Sequence, residues 1–250
     1  DLTSLPVSAV TVVDAGALPD GVGFTPDGTK LIAANEGEPD DGIDPEGSIT
    51  VVDVTATPFA ATQIAFSGLT PADIPADVRI FGNEDNPTPT VAEDLEPEYV
   101  TATNTTAYVT LQENNAVAVV DLSDNSFQIL ALGFKDHSQP GNGLDASDRD
   151  GGINIATYDN VFGMYQPDAI SVIEIGSTPV LVTANEGDAR GFEEARVEDL
   201  VLDPAAFPDA TLQDPDQLGR LEVTNTLGLS TSSTVGVFAE LDGDQQVPAV

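Results

Sequence analysis

The chain has 250 residues, enough for one large all-β domain or two smaller ones. Its 43 Asp and Glu against 7 Lys and Arg give a formal net charge of −36, which argues against nucleic acid and anionic lipid as partners, because both demand a basic surface. No Cys is present, which excludes disulfide and thiolate chemistry, and no 18-residue apolar run exists, so direct membrane insertion is not expected.

Strand patterns dominate in chain order. Val10–Val13, Lys30–Ala34, Ser48–Asp53, Ala107–Leu111, Ala116–Asp121, Ala169–Ile173 and Val180–Ala184 are short, rich in β-branched residues and bounded by turn formers. Thr25-Pro26-Asp27-Gly28-Thr29 reads as a hairpin turn, Pro presetting φ and Gly accepting positive φ. Residues 66–97 are rich in acids and prolines, with strand character only at Val78–Phe81. Residues 133–165 are rich in Gly, Asp and Asn. Short helices are expected over Phe192–Leu200 and Asp203–Phe207. Residues 229–236 read as a Ser/Thr/Gly linker after a domain spanning 1–228, and residues 237–250 as the start of a further β segment that resembles the opening of a CHRD-type domain.

A motif pair occurs three times. Pro19-Asp20 leads to Ala34-Asn35-Glu36-Gly37, Pro97-Glu98 to Leu111-Gln112-Glu113-Asn114, and Pro167-Asp168 to Ala184-Asn185-Glu186-Gly187. The carboxylates within a pair are 16, 15 and 18 residues apart, and the first two copies go on to a strand ending Val-Val-Asp, at Asp53 and Asp121. Recurrence at this scale means one supersecondary unit used repeatedly, and four short antiparallel strands per unit is the build of a propeller blade. The fold class is therefore all-β and β-propeller-like with long acidic loop insertions. Three repeats are too few to close a ring, so the propeller is incomplete over these residues.

Radial units would bring Asp20, Glu36, Glu98, Glu113, Asp168 and Glu186 to one axis, beside the amides of Asn35, Gln112 and Asn185. Such hard oxygen donors suit several Ca²⁺ ions. A second candidate is the loop Asp145-Ala146-Ser147-Asp148-Arg149-Asp150-Gly151, which partly matches a calcium loop through Asp145, Asp148 and Asp150. The acidic run from Glu36 to Glu46 is a third, with a mobile solvated loop as the plainer reading. The single histidine, His137, rules out a two-His or three-His zinc site and leaves a Ser-His-Asp triad with no second choice of base. Lys135, Arg149, Arg190 and Arg196 sit in the long loops. Pairing with carboxylates is the plain role for them, and for Lys135, Arg149 and Arg190 the sharper one is binding an anion beside a metal.

Phe24-Thr25-Pro26-Asp27-Gly28, Ala34-Asn35-Glu36-Gly37-Glu38-Pro39, Asp94-Leu95-Glu96-Pro97-Glu98-Tyr99, Gly133-Phe134-Lys135-Asp136-His137-Ser138 and Thr183-Ala184-Asn185-Glu186-Gly187-Asp188-Ala189-Arg190 resemble the choice-of-anchor I family over residues 10–228. That family includes secreted bacterial proteins and mesenchyme-specific cell-surface glycoproteins. The resemblance implies an extracellular or cell-surface location, in bacteria, and a propeller longer than this chain. It implies no catalytic residue. More distantly, the chain resembles esterase-like phytase propellers, in which carboxylate-bound calcium serves phosphate-ester hydrolysis. Two functions are therefore expected: a secreted, calcium-binding surface or matrix protein without catalysis, or a calcium-dependent phosphoesterase using the repeated carboxylates and loop Lys or Arg. The partners expected are metal ions, other copies of the chain, or surface and matrix components.

Overall fold

The computed structural model describes residues 11–187, 190–230 and 234–240. Strands β1 (Pro19–Phe24), β2 (Lys30–Asn35), β3 (Ser48–Asp53) and β4 (Ala60–Ala65) form an antiparallel sheet in sequence order, the first repeat unit. The β1–β2 turn has the expected chemistry. Gly28, at φ +70°, donates its N–H to Thr25 O at 2.8 Å, and Asp27 Oδ1 accepts from the Thr25 hydroxyl at 2.7 Å and Thr29 N at 3.0 Å. The Val-Val-Asp ends are also turn devices. Asp53 accepts from Thr55 N at 2.8 Å, and Asp121 accepts from Ser123 N at 2.8 Å.

One helical turn, α1 (Val91–Asp94), follows, closed by a capping box between Thr90 and Glu93. The second unit repeats the first as β5 (Pro97–Ala102), β6 (Thr106–Leu111), β7 (Ala116–Asp121) and β8 (Phe127–Ala131). Short strands β9 (Lys135–Asp136), β10 (Leu144–Asp145), β11 (Ile155–Ala156) and β12 (Val161–Gly163) cross the Gly/Asp-rich stretch. The third unit is a hairpin alone, β13 (Pro167–Ile175) with β14 (Thr178–Asn185). Strands β15 (Glu194–Arg196), β16 (Glu222–Thr224) and β17 (Val237–Ala239) complete a five-stranded sheet of order β15-β16-β17-β12-β9, in which β12 and β17 run parallel. Among the described residues the fold is mostly β with almost no helix, and none of the sheets closes on itself.

Two cores hold these layers. Ile32, Ile49, Val51, Phe66, Val109, Leu111 and Val120 belong to a cluster shared by the first two units, with Phe66 edge-on to Phe127 at 5.3 Å between ring centroids. Leu144, Val161, Leu218, Leu221, Val223 and Val237 form the second, under the five-stranded sheet. Burying each of these large side chains contributes about 1.5–3 kcal/mol.

Several local expectations change. The strand expected at Val10–Val13 does not form over residues 11–13, and residue 10 lies outside the described residues. No strand forms at Val78–Phe81, whose backbone serves loop contacts such as Arg79 N to Asn114 O at 3.1 Å. The helix expected over Phe192–Leu200 is replaced by β15 and a 3₁₀ turn, Val197–Asp199, because Glu194–Arg196 finds strand partners in Glu222–Thr224. Tertiary pairing there outweighs local helix propensity. Asp203–Phe207 makes one turn, closed by Phe207 N to Asp203 O at 2.8 Å. Val237–Ala239 is buried between β12 and β16, inside the sheet that also holds residues of the preceding domain, whereas 241–250 lie outside the described residues.

Candidate functional site

The three copies of the repeated motif share one backbone device. Pro19 pairs with Asn35, Pro97 with Leu111 and Pro167 with Asn185, and in each case the register then slips before the next pair. The acid after the proline, Asp20, Glu98 or Asp168, sits at that irregularity. A bulge bends the strand and re-aims the side chain it carries. The second acid follows the end of the partner strand. Glu36 N donates to Leu18 O at 2.9 Å and Glu186 N to Gln166 O at 3.2 Å, while in the middle copy Gln112 N donates to Glu98 Oε1 at 3.3 Å. The strands β1, β5 and β13, each carrying the first acid of its copy, lie side by side in that order. The approach of β1 to β5 requires glycine, since a Cβ on Gly21 would collide with the Glu98 carbonyl.

All six repeated carboxylates line one cavity of about 510 Å³. Glu38, Glu84, Asp85 and Glu96 add four more, with Asn83, Tyr99, Gln112 and Arg190. The crowding registers in the acid–base chemistry. Burial, then the charges of Glu38, Asp20 and Glu113, push the half-buried Glu36 up to about 7, against the pull of Arg190. Burial also drives Glu98 far above the usual carboxylate range, reinforced by the charge of Glu113 and a hydrogen bond between the two carboxyls. Asp168 and Asp20 raise the Tyr99 phenol. Two acceptors in the lining, Glu96 Oε1 and Gln112 Oε1, are buried without a hydrogen-bond partner.

Among the described residues, Arg190 is the one cation in the lining. Its Nη1 lies 2.8 Å from Asp94 Oδ1, and its Nη2 lies 2.9 Å from Glu96 Oε2 and 2.7 Å from Asp94 O. These ion pairs hold the guanidinium charged. It also covers one ring, Phe81, at 4.7 Å, and Arg79 lies over the same ring at 3.9 Å while pairing with Glu240 at 2.8 Å. Asp94 accepts further bonds from Gly82 N and Asn114 Nδ2. Arg190 therefore ties its own segment to the strand opening of the second unit.

The other expected residues lie elsewhere. Asp145, Asp148, Asp150, Lys135 and Arg149 are not in the cavity lining. Asp148 pairs with Arg149 at 3.3 Å and Arg220 at 3.1 Å, so two guanidiniums take up the carboxylate expected to serve a calcium loop. Asp150 caps Gly152 N at 3.1 Å, and Lys135 pairs in β9 opposite Gly163. Arg196 pairs with Glu222 at 3.3 Å. Asn35 is fully buried, donating to Ser48 Oγ at 3.1 Å and Thr50 Oγ1 at 3.0 Å, so its amide braces the first unit. His137 is buried, with Nδ1 2.6 Å from Asn142 O, and burial lowers its pKa. Among the described residues, no three His, Cys, Asp or Glu side chains are grouped closely enough to hold a metal ion. The donors in the cavity are nonetheless the oxygen types that calcium takes.

Glu38 belongs to the acidic run expected from Glu36 to Glu46, whereas Asn83, Glu84, Asp85, Glu96 and Tyr99 are lining residues outside the three candidate groups. Glu96 had a signal: it stands two residues before Glu98, and that spacing puts both on one face of extended chain. Glu84 and Asp85 had none, because their approach depends on the path of an irregular loop.

Repeated antiparallel units that aim paired acids into a shared cavity define a β-repeat protein with an acid-lined centre. The chain belongs to the choice-of-anchor I family, whose domain model matches residues 2–240. The family suggests a bacterial surface-associated or secreted protein. Comparison with curated proteins finds no match. Among the described residues, no helix is long and apolar enough to cross a membrane.

Proposed function

We propose that this is a secreted, calcium-binding protein of the cell surface or extracellular matrix, and that it works without catalysis. One observation carries the reading. Among the described residues, ten carboxylates line a single cavity whose one cation, Arg190, is already committed to Asp94 and Glu96. Such a cavity keeps its acids together only by protonating some of them or by taking up positive charge. Calcium supplies that charge to oxygen donors, and the buried acceptors Glu96 Oε1 and Gln112 Oε1 would gain a partner. Bound calcium would join three units that otherwise repel one another across the cavity.

The calcium-dependent phosphoesterase is the second reading, and the presence of Arg190 in the lining favours it. Two observations weigh against it: Lys135 and Arg149 do not reach the cavity, and the donors of Arg190 already serve buried carboxylates and carbonyls. Calcium titration by calorimetry, with thermal melts in calcium and in EGTA, tests the proposal. Saturable binding with a clear rise in melting temperature is expected, together with no turnover of a generic phosphate monoester in calcium. No binding at millimolar calcium would overturn the reading, and calcium-dependent hydrolysis abolished by Arg190→Met would replace it with the second.

A further inference from the structure

The acids of the central cavity are spread over its surface rather than gathered at one point. Glu96, Glu98 and Gln112 line a buried inner wall, while Asp20, Glu84 and Glu186 stand exposed at the rim. Among the described residues, no three acids are close enough together to share one ion. Calcium takes six to eight oxygens around a single point, so these acids would have to draw inward to meet it. An elongated cation reaches them where they stand.

Two groups of charge adjoin in the cavity. Tyr99 is at the centre of the first. Its ring is 40% exposed in the lining, and Asp168, Asp20, Glu98 and Glu186, drawn from all three units, raise its phenol. An ammonium over this ring would meet a π face and carboxylates together. The second group surrounds Glu36, on which burial and then the charges of Glu38, Asp20 and Glu113 act. Glu98 feels both Glu113 and Glu36, so Asp20 and Glu98 join the two groups.

The inner wall independently asks for a donor. Glu96 and Gln112 are 2% and 3% exposed, and the Oε1 atom of each is buried without a hydrogen-bond partner. Buried acceptors left in this state are rare in proteins. Carboxylates only accept, whereas an ammonium only donates, with three N–H bonds to give. The same wall already holds one organic cation, since Arg190 Nη2 lies 2.9 Å from Glu96 Oε2.

We propose that the cavity binds linear polyamines, alkyl chains that carry two or more ammonium groups. One ammonium sits over Tyr99 among Asp20, Asp168 and Glu186, and another sits at the inner wall among Glu36, Glu98 and Gln112. Tyr99 and Pro39 supply apolar lining for the methylenes between them. The cavity volume of about 510 Å³ falls within the roughly 300–1,000 Å³ of small-molecule sites. Polyamine binding uses the same cavity as calcium but does not depend on it, and each cation should displace the other.

Calorimetric titration of the full chain with spermidine tests the site, in EGTA and about 0.15 M sodium chloride, where the Debye length is about 8 Å. One saturable site is expected, about tenfold tighter for spermidine than for butylamine, which has a single ammonium. Tyr99→Ala removes a partly exposed ring, so it should keep the wild-type circular dichroism and weaken spermidine about tenfold. Glu186→Gln and Glu174→Gln remove the same charge from opposite ends of the β13–β14 hairpin, but only Glu186 lines the cavity. Glu186→Gln should weaken binding roughly threefold, and Glu174→Gln should leave it unchanged. Uptake of several spermidine molecules without saturation, butylamine bound as tightly as spermidine, a Tyr99→Ala variant that binds as wild type, or equal losses in the two glutamine variants would each overturn the site. What remained would be the general attraction of cations to a chain of net charge −36. Calcium binding without spermidine binding overturns the polyamine site alone, and the reverse overturns the calcium reading alone.

Discussion

Replacing Arg190 should cost more stability than replacing any exposed or half-buried cation, and the cost should shrink as pH falls. The Arg190 side chain is 7% exposed, and those of its partners Asp94 and Glu96 are 0% and 3% exposed. Arg190→Met keeps the packing volume on Phe81 but leaves two buried carboxylates without a counter-charge. Breaking a buried pair from one side costs about 3–5 kcal/mol, and the lost contact with the Phe81 face adds roughly 0.5–1 kcal/mol. For a chain of this size, about 4 kcal/mol corresponds to a fall of roughly 8–16 °C in melting temperature. Burial already raises the Glu96 carboxyl to about 8, and protonation relieves it further as pH falls, so the penalty measured near pH 8 should fall substantially near pH 5. Arg149→Met is the control: its side chain is 61% exposed and pairs only with its neighbour Asp148, so a change within about 0.5 kcal/mol is expected. Urea unfolding of the three proteins at the two pH values, in EGTA, reads the difference. An Arg190→Met loss below about 1 kcal/mol, or one indifferent to pH, would refute the assignment of Arg190 as the electrostatic tie between its segment and the second unit.

Two further perturbations probe the cavity. Glu36 has its folded-state pKa raised to about 7 from 4.5, so the folded chain holds that proton more tightly than the unfolded chain. In EGTA, its contribution to stability should be complete below about pH 4.5 and be lost as pH rises to about 7, by roughly 2 kcal/mol after allowing for partial exposure. Glu36→Gln should flatten that decline, and a wild-type melting temperature that rises across the same window as steeply as the variant's would contradict it. Gly21→Ala should destabilise by about 1–3 kcal/mol, because its Cβ meets backbone of the second unit. Gly28→Ala, at φ +70° but in open space, should cost only about 1 kcal/mol. Equal urea midpoints for Gly21→Ala and wild type would show that β1 and β5 are not in contact in solution.

What the sequence made legible follows from how far each signal reaches along the chain. The strand pattern was readable at Ser48–Asp53 and Ala116–Asp121 because period-two patterning and turn residues are local, and both form as read. The convergence of Asp20, Glu36, Glu98, Glu113, Asp168 and Glu186 was readable because three copies of one unit impose the same geometry three times. That Arg190 pairs with carboxylates was readable, but which ones was not, since Asp94 and Glu96 lie about a hundred residues away and no local pattern joins them. Glu194–Arg196 was misread for the same reason: its strand partner is Glu222–Thr224, and only that pairing overrides the helical look of the segment. Asp148 shows the converse. A loop can carry the spacing of a calcium site while a distant residue, Arg220, takes the carboxylate.

The cavity therefore separates two jobs that the repeated motif combines in sequence. The prolines, the register slips and the buried Asn35 build the units, and these act through backbone and neutral amides. Beyond the bond from Gln112 N to Glu98 and the Arg190–Glu96 pair, the cavity carboxylates oppose that construction, as the raised pKa values of Glu36 and Glu98 register. Side chains that weaken the fold holding them are retained at a site for what they bind, which is the physical basis of the proposed cation role. Uptake of calcium should then reverse the sign of the pH dependence. In EGTA stability declines toward pH 7 as Glu36 ionises, whereas in calcium the same ionisation creates the ligand, so the melting temperature should rise with pH over that window and binding should release protons. Calorimetry in two buffers of different ionisation enthalpy measures that release. Calcium binding with no proton release near pH 6 would separate the ion from Glu36 and refute its place as a ligand.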